Sequence, residues 1–268
     1  RRHIMAELLS PVGDFECLKA AVQNGADSVY FGSNLFSARA FASNFDINHL
    51  EDAINYAKIR GVKTNLALNT LIKDTEMENA LLLAKKAYEL GIDAIIVQDL
   101  GLAKKLIDLD KSGQNVLLIG VTYALLDLIE RHSFKLNNTI IMETGGMKGK
   151  RKELIREELH QLLTNGFGVS KIHSEYGMTE LLSQAYSLGD GRFECPPWMD
   201  ILVRDTEDAL TYVTKEKTGG LNIIDLANIN SCAFIATQDL GKNYADHSFE
   251  VLGRFDHSDI RGCNLLVV

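Results

Sequence analysis

Proline is scarce in this sequence, with three in 268 residues at positions 11, 196 and 197, which excludes a proline-rich linker or a polyproline recognition segment. The four cysteines, Cys17, Cys195, Cys232 and Cys263, form no Cys-x-x-Cys pair. That spacing reads by default as cytosolic thiols. No apolar run approaches the roughly 18 to 20 residues that a membrane-crossing helix requires. No basic-then-apolar leader is read at the first residues, where Glu7 interrupts early, so the expectation is a cytoplasmic protein without a membrane partner. Positive charge is also lacking. The net charge of −8 and isoelectric point near 5.4 exclude a nucleic-acid surface built on bulk positive charge and make a nucleic-acid partner disfavoured. A local basic groove stays open.

What is present is an ordinary globular balance, 46% hydrophobic and 24% charged. Over the first 110 residues, short apolar runs alternate with stretches of helical spacing. Strands are expected at 5–10, 28–31, 62–68 and 94–97, and helices at 15–24, 50–60, 75–90 and 100–109. Strand and helix in alternation with short joins predict a parallel sheet. The stretches "GADSV" at 25–29 and "GIDAI" at 91–95 are near copies, each with a glycine that ends a helix and a short loop into a strand. About four βα units result, half of an eight-stranded barrel.

The blocks "ELLSPVGDFECLKAAVQNGADSVYFG", "ARAFASNF", "LNTLIKD" and "GIDAIIVQDLG" resemble the collagenase-like peptidase family, some members of which serve RNA hydroxylation. The resemblance covers residues 5–109 and implies the opening half of a barrel. The family's cysteine-bearing motifs have no counterpart here, so no catalytic residue is carried over. By position, the strand ends offer Gly13, Gly32, Asn69, Gln98 and Asp99. The plainer reading makes the glycines turn-formers and the polar residues helix caps. Arg39 is either an anion-binding group or a solvated loop arginine, and Cys17, beside Leu18 on a helix, reads as core.

The rhythm breaks at residues 110–114, a short polar stretch with the character of a linker. The expected domains are therefore 1–110, a partial (βα) barrel, and 115–268, an incomplete α/β domain. Half a barrel leaves open edges and an unfilled inner face, so a protein partner completing either half is expected.

Beyond the break, "VLLIGVTYALLDL", "METGGMKG", "IHSEYGMTELLSQAY", "FECPPWM", "GGLNIIDLANINSCAFIATQDLG" and "LGRFDHSDIRGCNLLVV" resemble the acyl-protein synthetases of the adenylate-forming superfamily. That resemblance implies ATP-dependent activation of a carboxylic (fatty) acid, with ATP or AMP and Mg²⁺ as cofactors. It sets Tyr176 against adenine, lets the backbone approach at Gly177, directs Thr179 to the α-phosphate and gives Glu180 to Mg²⁺, an oxygen-seeking ion. A strand at 171–173 is expected to lead into this motif. Gly145 and Gly146 follow an apolar strand at 139–142 and suit close approach of a nucleotide, or else form a plain tight turn. Asp239 takes the ribose-binding carboxylate position, Arg254 also reaches ribose, and Asp256 lies near the domain hinge. Cys263, with Arg261 nearby, is the candidate acyl acceptor, because a thiolate both attacks and leaves well; the alternative is a small buried residue. Cys195 and Cys232 read as core, His173 and His257 as structural, and 196–198 as a rigid loop or a surface turn.

The superfamily's phosphate loop has no counterpart in residues 1–114, and its C-terminal lid is absent or vestigial, which implies impaired activity. Three readings follow: acyl activation by the second part, peptidase-like or RNA-modification chemistry through the first, and an inactive chimera of two enzyme fragments.

Overall fold

The structure, a computed structural model, describes residues 8–37, 45, 47–108, 111, 113, 115–147, 149–152 and 154–255. Chain contacts divide it into two compact units, Met5–Asp108 and one within Leu109–Val268.

In the first unit the expected alternation is present. The elements are β1 (Leu9–Pro11), α1 (Phe15–Gln23), β2 (Ser28–Gly32), α2 (Ile47–Lys58), β3 (Lys63–Leu68), α3 (Met77–Leu90), β4 (Ala94–Val97) and α4 (Leu100–Ile107). The four strands are parallel and lie in chain order, β1-β2-β3-β4. Leu18, Leu50, Ile54, Leu83, Ala87 and Leu102, which span all four helices, share one core with Val29, Phe31, Leu66 and Leu68. All the helices therefore cover the same face of the sheet. The opposite face carries Leu9, Tyr30, Asn65 and Ile96, with Leu9 49% and Ile96 41% exposed. The sheet is open, with β1 and β4 at its edges, so among the described residues the expected partial barrel takes the form of a singly wound four-stranded sheet.

The near-copied loops act as straps. Gly25 and Gly91 adopt φ of 89° and 83°, the left-handed region that glycine enters without a Cβ clash. Two residues later, Asp27 accepts the amide of Leu8 at 2.8 Å, and Asp93 accepts the amide of Thr64 at 2.8 Å. Each aspartate ties the strand it precedes to the start of a neighbour, which fixes the parallel register.

The second unit contains β5 (Val116–Val121), α5 (Thr122–Arg131), β6 (Thr139–Thr144), α6 (Arg156–Phe167), β7 (His173–Tyr176), β8 (Ala185–Ser187), β9 (Phe193–Glu194), β10 (Met199–Arg204), β11 (Gly219–Asp225), β12 (Phe234–Asn243) and β13 (Phe249–Arg254). One nine-stranded sheet runs β10-β11-β12-β13-β9-β8-β7-β6-β5. Only β5, β6 and β7 pair in parallel, and the remaining pairs are antiparallel. The helices α5 and α6 approach closely where Gly166 meets Ile129; a Cβ there would lie 2.6 Å from the isoleucine side chain. Chain-wide, then, the fold class is α/β, with one parallel sheet and one larger mixed sheet.

The strand expected at 171–173 is displaced. It runs His173–Tyr176, because parallel pairing begins at Met142↔His173 and antiparallel pairing with β8 extends to Tyr176↔Ala185. Tyr176 thus lies within the strand and not after it. Two cysteines expected in the core are exposed, Cys17 and Cys232. On α1 it is Leu18 that faces the core, so its neighbour points away, and Cys232 lies in the turn between β11 and β12.

Candidate functional site

In the first unit, the residues that follow each strand are largely spoken for. Asp99 caps α4 by accepting the amide of Leu102 at 2.8 Å, and its other oxygen accepts the amide of Ile72 at 3.2 Å. It acts as a cap that ties two loops together. Ser33, just past β2 and Gly32, is buried and accepts the amide of Leu35 at 3.3 Å. Asn69 follows β3, and Gln98 follows β4 with its side chain exposed. Gly13 precedes Asp14, which caps α1 by accepting the amide of Cys17 at 2.7 Å. Arg39 lies outside the described residues.

In the second unit the parallel strands end side by side. Val121↔Thr144 and Thr144↔Glu175 are register partners, so Thr122, Gly145-Gly146 and Tyr176-Gly177 follow one another along one edge. The carboxyl ends of parallel strands are where open α/β sheets place ligands. Gly145 and Gly146 hold φ of 71° and 62°, and a Cβ on Gly146 would meet nothing within 4 Å. Open space and a glycine-only backbone coincide at this point.

Beside that edge, the Tyr176 hydroxyl donates to Asp239 Oδ2 at 2.7 Å, and Arg254 Nε lies 3.5 Å from Asp239 Oδ1. Asp239 is buried on β12, and its neighbour across the register is Arg254 of β13. The tyrosine ring packs edge-on against Phe249 at 5.4 Å and Phe193 at 6.0 Å. Tyr176, Asp239 and Arg254, drawn from separate parts of the sequence, therefore meet. Gly177, Thr179 and Glu180 are exposed on the loop between β7 and β8, with the Glu180 carbonyl held by the Asn228 side chain at 2.7 Å. Cys263, Asp256, His257 and Arg261 lie outside the described residues.

A buried charged network that the sequence reading missed underlies this edge. Glu143 accepts from Thr122 Oγ1 at 2.9 Å and lies 3.3 Å from Arg156 and 3.6 Å from His160. Ser174 is within 3.2 Å of Arg156 and 3.3 Å of His160. Burial pushes the Glu143 carboxyl upward; hydrogen bonds with His160 and Ser174, the Arg156 charge and the Thr122 hydroxyl outweigh it and hold the group below the usual carboxylate range. The network locks the ends of β5, β6 and β7 together. Its signal was a glutamate at an inward position of a period-2 strand, between the buried Ile141 and the strand end.

Two further groups are held toward their neutral forms. Burial, then the nearby Asp200 charge, pushes the Cys195 thiol up to about 12, which fits a packing role. Burial, then Lys171, lowers the pKa of His173 and favours its neutral form.

Comparison with known proteins separates the units. Residues 13–112 match the model of Peptidase family U32. The 23S rRNA 5-hydroxycytidine C2501 synthase of Escherichia coli is 41% identical over 96 residues, which are 36% of this chain and 14% of that protein. An uncharacterized protease of Methanocaldococcus jannaschii is 39% identical over 98 residues, 37% of this chain and 24% of that protein. The tRNA hydroxylation protein P1 of Bacillus subtilis is 33% identical over 93 residues, 35% and 22% of the two chains. The chain thus spans less than a quarter of the length of these relatives. Among solved structures, ATP-bound MatB from Rhodopseudomonas palustris aligns at a TM-score of 0.46 and 17% identity, over 78% of this chain and 42% of that one. The O-succinylbenzoate coenzyme A synthetase of Bacillus subtilis in complex with AMP aligns at 0.43 and 19% identity, over 79% and 45%. At those scores neither likeness carries weight for fold or chemistry. The family likeness that stands is that of residues 13–112, which match Peptidase family U32 and include most of the stretch whose blocks resemble collagenase-like peptidases.

Proposed function

We propose that residues 5–108 form an arc of a U32-type (βα) barrel and that the chain works through it on RNA, in nucleoside modification. The observation that carries this reading is the 41% identity to an rRNA hydroxycytidine synthase over 96 residues. Geometry adds support. Four sequential parallel strands with every helix on one face are the arrangement that an arc of such a barrel requires. The ends of β3 and β4 carry Asn69 and Gln98, neutral hydrogen-bonding groups of the kind that read base edges and ribose hydroxyls. With a net charge of −8, such contacts take precedence over bulk attraction to phosphate. The test is photocrosslinking of thiouridine-labelled tRNA and 23S rRNA fragments to the full chain at low salt. Crosslinks are expected at the loops after β2, β3 and β4, with at least a fivefold drop in the Asn69→Ala/Gln98→Ala variant, on the order of one lost hydrogen bond. No retained RNA, or gelatin cleavage in its place, sinks this reading in favour of nothing or of peptidase chemistry respectively.

A second reading is favoured by the meeting of Tyr176, Asp239 and Arg254 beside the Gly145-Gly146 turn. We infer that the second unit binds an adenine nucleotide there. The residue types fit: Asp239 brings a carboxylate, the kind of group that accepts from ribose hydroxyls, the paired glycines bring backbone amides, and Thr179 brings a hydroxyl of the kind that contacts phosphate. Glu180 stands as a single exposed carboxylate, the arrangement in which Mg²⁺ is shared between one acid and phosphate oxygens. ATP would supply activation of a fatty acid, with Cys263 as the acceptor. Calorimetric titration with AMP decides the matter: micromolar to millimolar binding abolished by Asp239→Ala supports it, and a wild-type chain indifferent to AMP ends it.

A further inference from the structure

The loop that carries Thr179 and Glu180, residues 177–184, is fastened from behind by groups at the end of β11. Asp225 closes that strand and is fully buried. Its Oδ2 accepts the amides of Leu182 and Ser183, each at 3.0 Å. Its Oδ1 accepts the Ser183 hydroxyl at 2.7 Å and the amide of Ala227 at 3.1 Å. All four donors are neutral. A carboxylate carried into a core loses its hydration, and here hydrogen bonds replace it. Three of those four come from Leu182 and Ser183, so the buried charge is satisfied only while the loop stays in place.

Two other side chains complete the clamp. Asn228, at the end of the 3₁₀ turn that Asp225 caps, is buried, and its Nδ2 donates to the Glu180 carbonyl at 2.7 Å. The chain's one tryptophan, Trp198, donates its ring N–H to the Ser183 hydroxyl at 2.9 Å. Its carbonyl accepts the amide of Leu226 at 3.0 Å. A closed ring results: Asp225, Ser183, Trp198 and Leu226. The Ser183 hydroxyl donates to one member and accepts from another, which leaves it a single orientation.

We infer that Asp225, Asn228 and Trp198 are positioning residues for the second unit's nucleotide site, holding the loop so that Thr179 and Glu180 face the strand ends, and that loop occupancy is transmitted to the tryptophan. The inference rests on the nucleotide reading above and assigns the residues that set its affinity.

The experiment uses the full chain, with AMP as the probe. Affinity is read by calorimetry, Trp198 emission by fluorescence, and loop order by amide exchange at Leu182 and Ser183. Asn228→Ala carries the test, because Asp225→Asn removes a fully buried group and is the variant at risk of not folding. Expected for Asn228→Ala are faster amide exchange centred on 178–183, AMP affinity lower by about fivefold, the effect of one ordinary hydrogen bond, and a small fall in the melting midpoint without ligand. AMP is expected to alter Trp198 emission in the wild type, and Ser183→Ala to abolish that response. Wild type and Asn228→Ala binding AMP equally, or wild-type emission blind to bound AMP, would overturn the positioning role. A wild type indifferent to AMP, in which Asn228→Ala still loosens 178–183, overturns the nucleotide reading and leaves the clamp itself standing.

Discussion

The two units differ in what they bury. In Met5–Asp108 the buried polar residues among those described are Ser28, Ser33, Ser37 and Thr64, whereas the second unit buries Glu143, His173, Asp225 and Asp239. The first unit is thus an apolar sheet-and-helix core with small hydroxyls, and its acids Asp14, Asp27, Asp93 and Asp99 sit at the ends of elements as caps and straps. The second carries its acids inside, each satisfied by a specific set of donors. Yet the first is the one that matches a known family over residues 13–112. Recognisable sequence and buried chemistry are separate properties of this chain. A buried carboxylate is a costly feature that persists only with its partners in place, so the second unit is the more sensitive of the two to the loss of a single polar partner.

This contrast can be broken by experiment. The largest effect is expected in thiol chemistry. With its pKa pushed to about 12, Cys195 should alkylate with iodoacetamide at pH 7.5 on the order of a thousandfold more slowly than an ordinary thiol, while exposed Cys17 in the first unit reacts promptly. Mass spectrometry of a time course reads both, and comparable rates would mean that the second interior is open.

Next comes stability. Glu143→Ala leaves Arg156 and His160 facing an emptied site and should cost the second unit about 3 kcal/mol. Leu66→Ala, at a fully buried position, should cost the first unit a similar amount, about 2 to 5 kcal/mol, by cavity formation. Unit-resolved hydrogen exchange distinguishes them, and a loss spread evenly over both units would erase the distinction drawn here.

Acid should act on the second unit first. The folded pKa of Glu143 is depressed, so its contribution is complete above the unfolded value near about 4.3 and is lost as pH falls through the folded value. Exchange protection of β5–β7 should therefore fall below about pH 4 before that of β2 and β3, and Glu143→Gln should remove the acid-specific part. The smallest effect is Asp99→Ala, expected to cost about 1 kcal/mol as a lost helix cap. RNA retention that fell with it, with stability unchanged, would restore Asp99 as a site residue.

The legible part of the fold was the part dictated by period and punctuation. The βα rhythm of the first unit could be read because apolar residues recur at strand and helix spacing and because Gly25 and Gly91 end helices in the left-handed region. The role of Asp27 and Asp93 was visible only as a repeated word, since a strap needs the neighbouring strand to be placed first. Cys17 was misread because adjacency to Leu18 in sequence is a turn of about 100° on a helix. In the second unit, Tyr176, Asp239 and Arg254 were singled out by resemblance, and the structure brings all three together. Glu143, Asp225 and Asn228 escaped notice because a polar residue at an inward strand position shows its purpose only when partners from distant segments arrive.

The straps of the first unit also bear on how it comes to be folded. Asp27 reaches back 19 residues and Asp93 29 residues, so each tie spans no more than one strand–helix–strand crossover. Loop closure over such distances adds little entropy cost from one crossover to the next. The register of this sheet is thus set locally, one crossover at a time, by a carboxylate placed just before the incoming strand.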